Sequence, residues 1–178
     1  INAMKPDAII IRHSECGLPE SLLGYVDCPI INAGDGRHSH PTQALLDLFT
    51  IYEHYEGVTE GKRIAIVGDV RNSRVAGSNR RLLPRFGIDV SLVAPDCFKY
   101  ESDDFKQYNT VAEVIDQVDI IMSLRSQLER HNLTYFESLN EYAKDFCITN
   151  ELMGDKDILL VHPGPVNRNI DISDEMLK

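Results

Sequence analysis

One segment organises the chain, NAGDGRHSHPTQALLDL at residues 32–48. It follows a short apolar strand, and Pro41 then suits the first turn of a helix predicted over residues 41–55. The free N–H groups and positive dipole end of that helix favour a bound anion, and His40 and Gln43 lie three residues apart, on one side of it. The segment therefore predicts a small anion-binding site, although a simple connector in which His40 only caps the helix has the same pattern.

Length and composition limit the function classes. The 178 residues are 43% hydrophobic, which suffices for one ordinary core or for two small α/β lobes that share a helix. No apolar run is long enough to span a bilayer and no leader peptide is evident, so we expect a cytoplasmic protein without a membrane partner. The net charge of −10 argues against nucleic acid as a partner. The cysteines form no C-x-x-C pair, which indicates reduced thiols.

Apolar runs alternate with helical patterns along the chain. We predict strands at residues 8–11, 29–32, 63–67, 90–93, 120–124 and 158–161, and helices at residues 18–24, 41–55, 73–86, 111–117, 133–146 and 149–153. The alternation predicts an α/β fold with two doubly wound parallel-sheet lobes joined by the long helix, the first lobe being incomplete. We assign residues 1–45 to the first domain and residues 46–178 to the second. Residues 171–178 resemble a helix start, so we expect sequence to be missing at both ends.

Three arginines follow predicted strands or begin the next helix, namely Arg12, Arg74 and Arg125. Open α/β sheets bind ligands at the carboxyl ends of their strands. A guanidinium offers a planar fork of donors that matches a carboxylate or phosphate. One such arginine is usually a solvated surface charge. Three of them, beside a helix start suited to anions, predict one crevice for anionic ligands.

The residue strings resemble a known family. NAGDG followed by HPTQ, within residues 32–43, resembles the carbamoyl phosphate-binding segment of the transcarbamoylases. Residues 68–79, 124–130 and 162–168 resemble the aspartate-domain signatures of the aspartate carbamoyltransferase branch. The ornithine branch is expected to carry a His-Cys-Leu-Pro turn with a catalytic cysteine, whereas this chain has HPGP at residues 162–165. The resemblance extends through nearly the whole chain.

The resemblance implies transfer of the carbamoyl group of carbamoyl phosphate to L-aspartate, an early step of pyrimidine biosynthesis. The implied residues are Arg12 and His40 for catalysis, Arg12, His40, Gln43, Gly164 and Pro165 for carbamoyl phosphate, and Arg74, Arg125 and Gln127 for aspartate. Neither a metal nor an organic cofactor is implied, because the departing phosphate can accept the proton of the amine. The resemblance also implies a homotrimer and allows for regulatory chains.

Some features of the family are not found in these 178 residues. They are a Ser-Thr-Arg-Thr phosphate loop, a serine and a lysine on a mobile loop of a neighbouring subunit, and the closing C-terminal helices. We therefore expect a fragment of a longer enzyme, with little catalysis by this piece alone.

Three alternatives stay open from the residues. Asp35, His38 and His40 form a D-x-x-H-x-H cluster that could bind zinc in a metallohydrolase, but no supporting carboxylate or distant further ligand is evident. The strand at residues 64–67 and Gly68 suggest a dinucleotide-binding module, but the G-x-G-x-x-G spacing is not present. The third alternative is a non-catalytic fragment that binds a ligand or contributes to an assembly.

Overall fold

The computed structural model describes residues 1–126 and 139–178. Its strands are β1 (Ile9–His13), β2 (Ile30–Asp35), β3 (Arg63–Val67), β4 (Asp89–Val93), β5 (Lys106–Tyr108), β6 (Ile120–Ser123) and β7 (Leu159–Val161). Its α-helices are α1 (Leu18–Ser21), α2 (Pro41–His54), α3 (Arg74–Leu82), α4 (Leu139–Phe146) and α5 (Asn150–Met153). β1 and β2 form a small parallel sheet, and a larger parallel sheet has the order β5-β4-β3-β6-β7. The predicted parallel α/β fold is confirmed.

The larger sheet is covered by apolar side chains on both faces. Ile64 and Ile66 of β3 point to one face, where they pack in a cluster that includes Ile51 of α2. Ala65 and Val67 point to the opposite face, into a cluster that contains the aromatic residues of α4. A strand that is buried on both faces is a continuous apolar run, as this one is. This sheet is doubly wound.

The strand order reverses between β3 and β6. β3 pairs with β4 on one side and with β6 on the other, both in parallel. Such a reversal leaves a crevice at the carboxyl ends of the two strands, which is the usual ligand site of these sheets. Gly68 follows β3 with φ +121°, and a Cβ added there would lie 3.3 Å from the Cβ of Leu124, which follows β6. The glycine allows the two loops to approach closely.

The small sheet has little support on its outer side. Ile10 of β1 faces Ile31 of β2 across the ladder, and these side chains are 71% and 40% exposed. A sheet of two strands is only marginally stable without further packing.

Several predicted elements differ from the observed ones. α3 ends at Leu82 and a 3-10 turn, Leu83–Phe86, follows it, because Pro84 has no N–H for a continued α-helix. The helix predicted at residues 111–117 is two separate 3-10 turns. β5 was not predicted, since its three residues are too few to show a pattern.

The helix start predicted at residues 171–178 is wrong, because this segment forms turns and isolated bridges. The N–H of Ser173 donates to the carbonyl of Ile148, and the carbonyl of Ile172 accepts from Asn169. The long-range bond to Ile148 and the local turn at Asn169 take the place of helical hydrogen bonds. The first six residues of the helix predicted at 133–146 lie outside the described residues. Within the described parts of the chain, no helix has the length and apolar character needed to cross a bilayer.

Candidate active site

A cleft of about 370 Å³ lies between the two lobes, at the carboxyl ends of β3 and β6. Seven of the eight residues predicted for the site line it, and these are Arg12, His40, Gln43, Arg74, Arg125, Gly164 and Pro165. The eighth, Gln127, lies outside the described residues. Asp69, Asn72 and Ser73 also line the cleft. Residues from five separate parts of the sequence thus meet at one point of the fold.

His40 stands at the start of α2, as its N-cap residue, with Pro41 in the first turn. Its backbone N–H donates to Oγ of Ser78 on α3, at 2.8 Å, which fixes the helix start against the second lobe. Burial lowers the pKa of the His40 ring, and the positive charges of Arg74 and Arg12 lower this pKa further. The ring is therefore neutral at pH 7.

The hydroxyl of Thr42 is the hydrogen-bond partner of the His40 ring. Nδ1 of the ring lies 3.3 Å from the hydroxyl of Thr42, and this hydroxyl can donate a hydrogen bond. When it does so, Nδ1 is the acceptor and the proton is on Nε2. A neutral imidazole with this tautomer is a hydrogen-bond donor for a carbonyl oxygen.

Gln43 is held from behind by a buried carboxylate. Its Nε2 donates to Oδ1 of Asp47, one helical turn later, at 2.8 Å. Oδ2 of Asp47 accepts from Nδ2 of Asn79 on α3, at 2.7 Å. Burial raises the pKa of Asp47, and the hydrogen bonds from Asn79 and Gln43 offset this only in part. The network fixes the amide of Gln43 and joins α2 to α3.

Arg74 begins α3 beside the glycine-rich segment of the first lobe. Oγ of Ser73 caps this helix by accepting from the N–H of Ala76, at 3.2 Å. The guanidinium of Arg74 lies against Gly34, where an added Cβ would be only 2.9 Å from its Cζ atom. Its Nη1 is 3.5 Å from the carbonyl of Gly36. The glycines at this point make room for the arginine of the other lobe.

Arg125 and the 162–165 turn come from loops after β6 and β7. Asn167 joins these loops, because its Nδ2 donates to the carbonyl of Ser126 at 2.7 Å. The N–H of Gly164 donates to Nδ1 of His162, at 2.8 Å, and closes the turn. Arg125 and Gly164 are therefore presented by two loops that are bonded to each other.

Asp35 and His38, proposed above as zinc ligands, have other partners. The buried Asp35 carboxylate accepts from Gly17 N–H at 2.6 Å, Asn32 Nδ2 at 2.9 Å and His38 Nδ1 at 2.8 Å. Burial would raise the pKa of Asp35, but these hydrogen bonds outweigh it and lower the pKa. The carboxylate thus fastens the glycine-rich segment to the start of α1. Within residues 1–126 and 139–178, no group of three or more His, Cys, Asp or Glu side chains is placed to hold a metal ion.

Three residues that support the site were not found from the sequence, namely Asp47, Ser78 and Asp171. Asp47 lies four residues after Gln43, so the i,i+4 spacing on a helix was an available signal. Ser78 and Asp171 act on residues 38 and 45 positions away. No local pattern indicates such long-range contacts.

The sequence matches two family models in tandem. Residues 1–53 match the model described as "Aspartate/ornithine carbamoyltransferase, carbamoyl-P binding domain", and residues 60–178 match "Aspartate/ornithine carbamoyltransferase, Asp/Orn binding domain". The second match covers more than half of the chain. This chain belongs to the aspartate/ornithine carbamoyltransferase family. The resemblance predicted from the residue strings is confirmed.

Curated members of the aspartate/ornithine carbamoyltransferase family match the whole chain. A protein of Aliarcobacter butzleri named aspartate carbamoyltransferase catalytic subunit is 85% identical over 178 residues, which are 100% of this chain and 60% of that protein. A protein of Campylobacter lari with the same name is 58% identical over 177 residues, 99% of this chain and 60% of its own length. The chain thus spans about 60% of the length of these relatives.

Solved structures of family members have the same fold. Aspartate transcarbamoylase of Trypanosoma cruzi, in complex with N-(phosphonacetyl)-L-aspartic acid, superposes with a TM-score of 0.84 at 30% identity, over 96% of this chain and 58% of that one. The catalytic subunit of M. jannaschii aspartate transcarbamoylase superposes with a TM-score of 0.81 at 30% identity, over 97% of this chain and 58% of that one.

Proposed function

We propose that this chain provides most of the active site of an aspartate carbamoyltransferase. The reaction transfers the carbamoyl group of carbamoyl phosphate to L-aspartate and gives N-carbamoyl-L-aspartate and phosphate, an early step of pyrimidine biosynthesis. One observation carries this proposal: three arginines and a neutral histidine line a single cleft between the lobes. Solved Trypanosoma cruzi relatives contain carbamoyl phosphate, and aspartate together with phosphate, according to their descriptions.

On the first-lobe side, Arg12, His40 and Gln43 bind carbamoyl phosphate, together with backbone groups at Gly164 and Pro165. The dipole at the start of α2 favours the negative charge of the phosphate. The neutral His40 ring donates from Nε2 to the carbamoyl oxygen. Gln43 is fixed by Asp47, so its amide reaches the carbamoyl group without losing side-chain entropy on binding.

On the second-lobe side, Arg74 and Arg125 bind the two carboxylates of L-aspartate. Bidentate guanidinium–carboxylate pairs add geometric selectivity to charge attraction, which suits a small dicarboxylate. Gln127, outside the described residues, is proposed to approach the amino group. This arrangement accounts for the need for arginine at both positions, because lysine lacks the planar fork.

The reaction proceeds by direct attack. The neutral amine of aspartate forms the new C–N bond at the carbamoyl carbon, and negative charge develops on the carbonyl oxygen. His40 and Arg12 stabilise this charge; loss of one such donor typically lowers the rate by about 10²–10³-fold. The C–O bond to phosphate then breaks, and the departing phosphate takes the proton of the amine. Holding both substrates in one cleft supplies much of the remaining rate increase.

We also propose the assembly and the place of action. We assign residues 1–45 to a carbamoyl phosphate domain and residues 46–178 to an aspartate domain, connected through α2. The complete enzyme is a homotrimer in the cytoplasm, in which a neighbouring subunit adds donors to each site; regulatory chains can bind to such a trimer. The cysteine pattern supports the location, because nothing in it suggests a disulfide framework. The reaction needs no metal or organic cofactor.

A second candidate is a non-catalytic ligand-binding or assembly fragment. It is favoured by one observation, that the chain spans about 60% of the length of its curated relatives. In this case the cleft binds ligands without turnover.

One pair of assays tests both candidates. The Aliarcobacter butzleri relative is expressed with this chain in place of its matching segment, here called the chimera, and N-carbamoyl-L-aspartate is measured colorimetrically beside the 178-residue chain. We expect the chimera to form product at a rate similar to that of the unmodified relative, and the chain alone to form little or none. A folded, trimeric chimera without activity would contradict the proposed function. Robust activity from the chain as a monomer would contradict the proposed need for further donors.

A further inference from the structure

Asp171 lies between the two loops that present Arg125 and the 162–165 turn. Its side chain is fully buried, at 0% exposure. Oδ1 accepts from the N–H of Ser126, at 3.1 Å, in the residue directly after Arg125. Oδ2 accepts from the N–H of Asn167 at 2.9 Å and faces Nε2 of His162 at 3.3 Å. Each carboxylate oxygen thus holds a different loop.

The tautomer of His162 shows that its Nε2 donates a hydrogen bond to Oδ2 of Asp171. A backbone N–H can only donate, so Nδ1 of His162 must accept from Gly164. The proton of the neutral ring is then on Nε2, which points at Oδ2 of Asp171. The chain of contacts runs from Asp171 through the His162 ring to the backbone of Gly164, which lines the cleft.

Further bonds bring the same segments together. The hydroxyl of Ser123, at the end of β6, is 3.3 Å from the backbone carbonyl of Asp171, to which it donates. Burial would raise the pKa of Asp171, but the hydrogen bonds from His162, Asn167 and Ser126 outweigh it and lower the pKa. The side chain is therefore ionised at neutral pH, and both of its oxygens accept.

We propose that Asp171 is a positioning residue that fixes Arg125 and the Gly164–Pro165 backbone relative to each other. We call this arrangement the Asp171 clamp; Asp171 acts through Ser126 and His162 and touches neither substrate. This inference rests on the proposed function, since it assigns Asp171 to the sites of aspartate and carbamoyl phosphate at once. A single substitution at Asp171 therefore weakens the binding of both substrates, whereas loss of Arg125 weakens only aspartate.

The substitution Asp171→Asn tests the proposal. An asparagine of the same shape has one acceptor oxygen, so it can hold the Ser126 loop or the His162 turn, but not both. In the 178-residue chain we expect amide hydrogen exchange at Ser126 or at Asn167 to become at least tenfold faster, measured by NMR. When the His162 turn is the one released, the ¹⁵N shifts of the His162 ring leave the Nε2-protonated pattern. Asp174→Asn is the matched control, because Asp174 is exposed and pairs with Arg168 on the same segment.

Kinetics of the chimera test the consequence for binding. We expect Asp171→Asn to raise KM for both substrates at least fivefold at a temperature where circular dichroism shows the native fold, and Asp174→Asn to change neither. Unchanged amide exchange, or unchanged KM values, would overturn the proposal. An inactive wild-type chimera would instead overturn the proposed function, and amide exchange would still decide whether the clamp exists.

A milder variant covers the case in which Asp171→Asn does not fold. His162→Asn keeps an acceptor oxygen for the Gly164 N–H near the position of Nδ1 and removes the Nε2 donor to Oδ2 of Asp171. We expect a KM for carbamoyl phosphate about three- to fivefold higher with an unchanged circular dichroism spectrum. An unchanged KM in this folded variant would overturn the proposed link from Asp171 through His162 to Gly164.

Discussion

The two sides of the cleft are built in different ways. On one side, His40 and Gln43 are carried by α2, a regular helix of 14 residues. On the other side, Arg125 and Gly164 are carried by loops that follow β6 and β7. Each side has a buried carboxylate behind it, Asp47 for the helix and the Asp171 clamp for the loops.

The two carboxylates differ in how far their hydrogen bonds offset the cost of burying a negative charge. Asp47 receives neutral amide donors from Gln43 and Asn79, which do not offset its burial, and its pKa is raised. Asp171 receives donors from His162, Asn167 and Ser126, and its pKa is lowered. A helix already orders its side chains, so the hydrogen bonds of Asp47 are enough to orient Gln43. Loops have no such internal order, and the carboxylate behind them, Asp171, has hydrogen bonds that fully offset its burial.

The largest effect is expected on the helix side. In the chimera, His40→Ala should lower turnover by about 10²–10³-fold, because it removes a donor to the developing oxyanion. The colorimetric assay measures this directly. His54→Ala, on the exposed last turn of the same helix, is the control and should leave turnover unchanged. Wild-type turnover in His40→Ala would remove His40 from the proposed mechanism.

The loop side should show its effect in substrate affinity. A charge-assisted hydrogen bond contributes about 1.5–3 kcal/mol, so Arg125→Ala should raise KM for aspartate by about 10- to 150-fold. KM for carbamoyl phosphate should stay within about twofold of the wild-type value. Arg85→Ala, an exposed arginine beyond α3, serves as the control. Equal changes in both KM values would indicate a structural role for Arg125.

The support behind Gln43 should have a smaller effect. Asp47→Asn keeps one acceptor oxygen, so either Gln43 or Asn79 loses its partner. A net hydrogen bond contributes about 0.5–1.5 kcal/mol, and we expect KM for carbamoyl phosphate to rise by about two- to tenfold. Steady-state kinetics with aspartate saturating measure this change. A larger rise for aspartate than for carbamoyl phosphate would contradict the assignment of Gln43 to carbamoyl phosphate.

The smallest expected effect is on the pH dependence of the free energy of unfolding, which should differ between Asp47 and Asp171. Each unit of pKa difference between the folded and unfolded states changes this free energy by about 1.4 kcal/mol. A raised pKa means that folded Asp47 binds its proton more tightly than the unfolded chain does. Its contribution therefore becomes less favourable as pH rises above 3.8. The lowered pKa of Asp171 gives stability that is present above pH 3.8 and is lost as pH falls below it.

Urea unfolding of the 178-residue chain between pH 3 and pH 7 measures both contributions. Relative to the wild type, Asp47→Asn should gain stability as pH rises from 3.8. The loss of stability caused by Asp171→Asn should become smaller as pH falls below 3.8. A change of the same sign for both variants would show that the pKa values of Asp47 and Asp171 are not shifted in opposite directions.

The helix side of the site could be predicted from the sequence because its signals are local. The glycines, Pro41 and the spacing of His40 and Gln43 lie within one short segment. Arg74 and Arg125 follow strands that were predicted correctly, so their meeting in one cleft followed from the parallel topology.

The clamp could not be predicted, because Asp171 meets Ser126 across 45 positions of sequence. Residues 171–178 were predicted to begin a helix, since a local pattern gives no sign of the bonds to Ile148 that prevent it. The roles assigned to individual site residues remain predictions.

In the proposed mechanism one cleft holds both substrates, with phosphate on the side of Arg12 and His40 and aspartate on the side of Arg125. Isothermal titration calorimetry of the chimera, with N-(phosphonacetyl)-L-aspartic acid and separately with inorganic phosphate, measures the two sides of the cleft separately. We predict that Arg12→Ala weakens the binding of both ligands, whereas Arg125→Ala weakens only the phosphonacetyl aspartate, by about 10- to 150-fold. Equal losses of affinity for both ligands in Arg125→Ala, or unchanged phosphate affinity in Arg12→Ala, would show that the two substrates are not bound on these two sides.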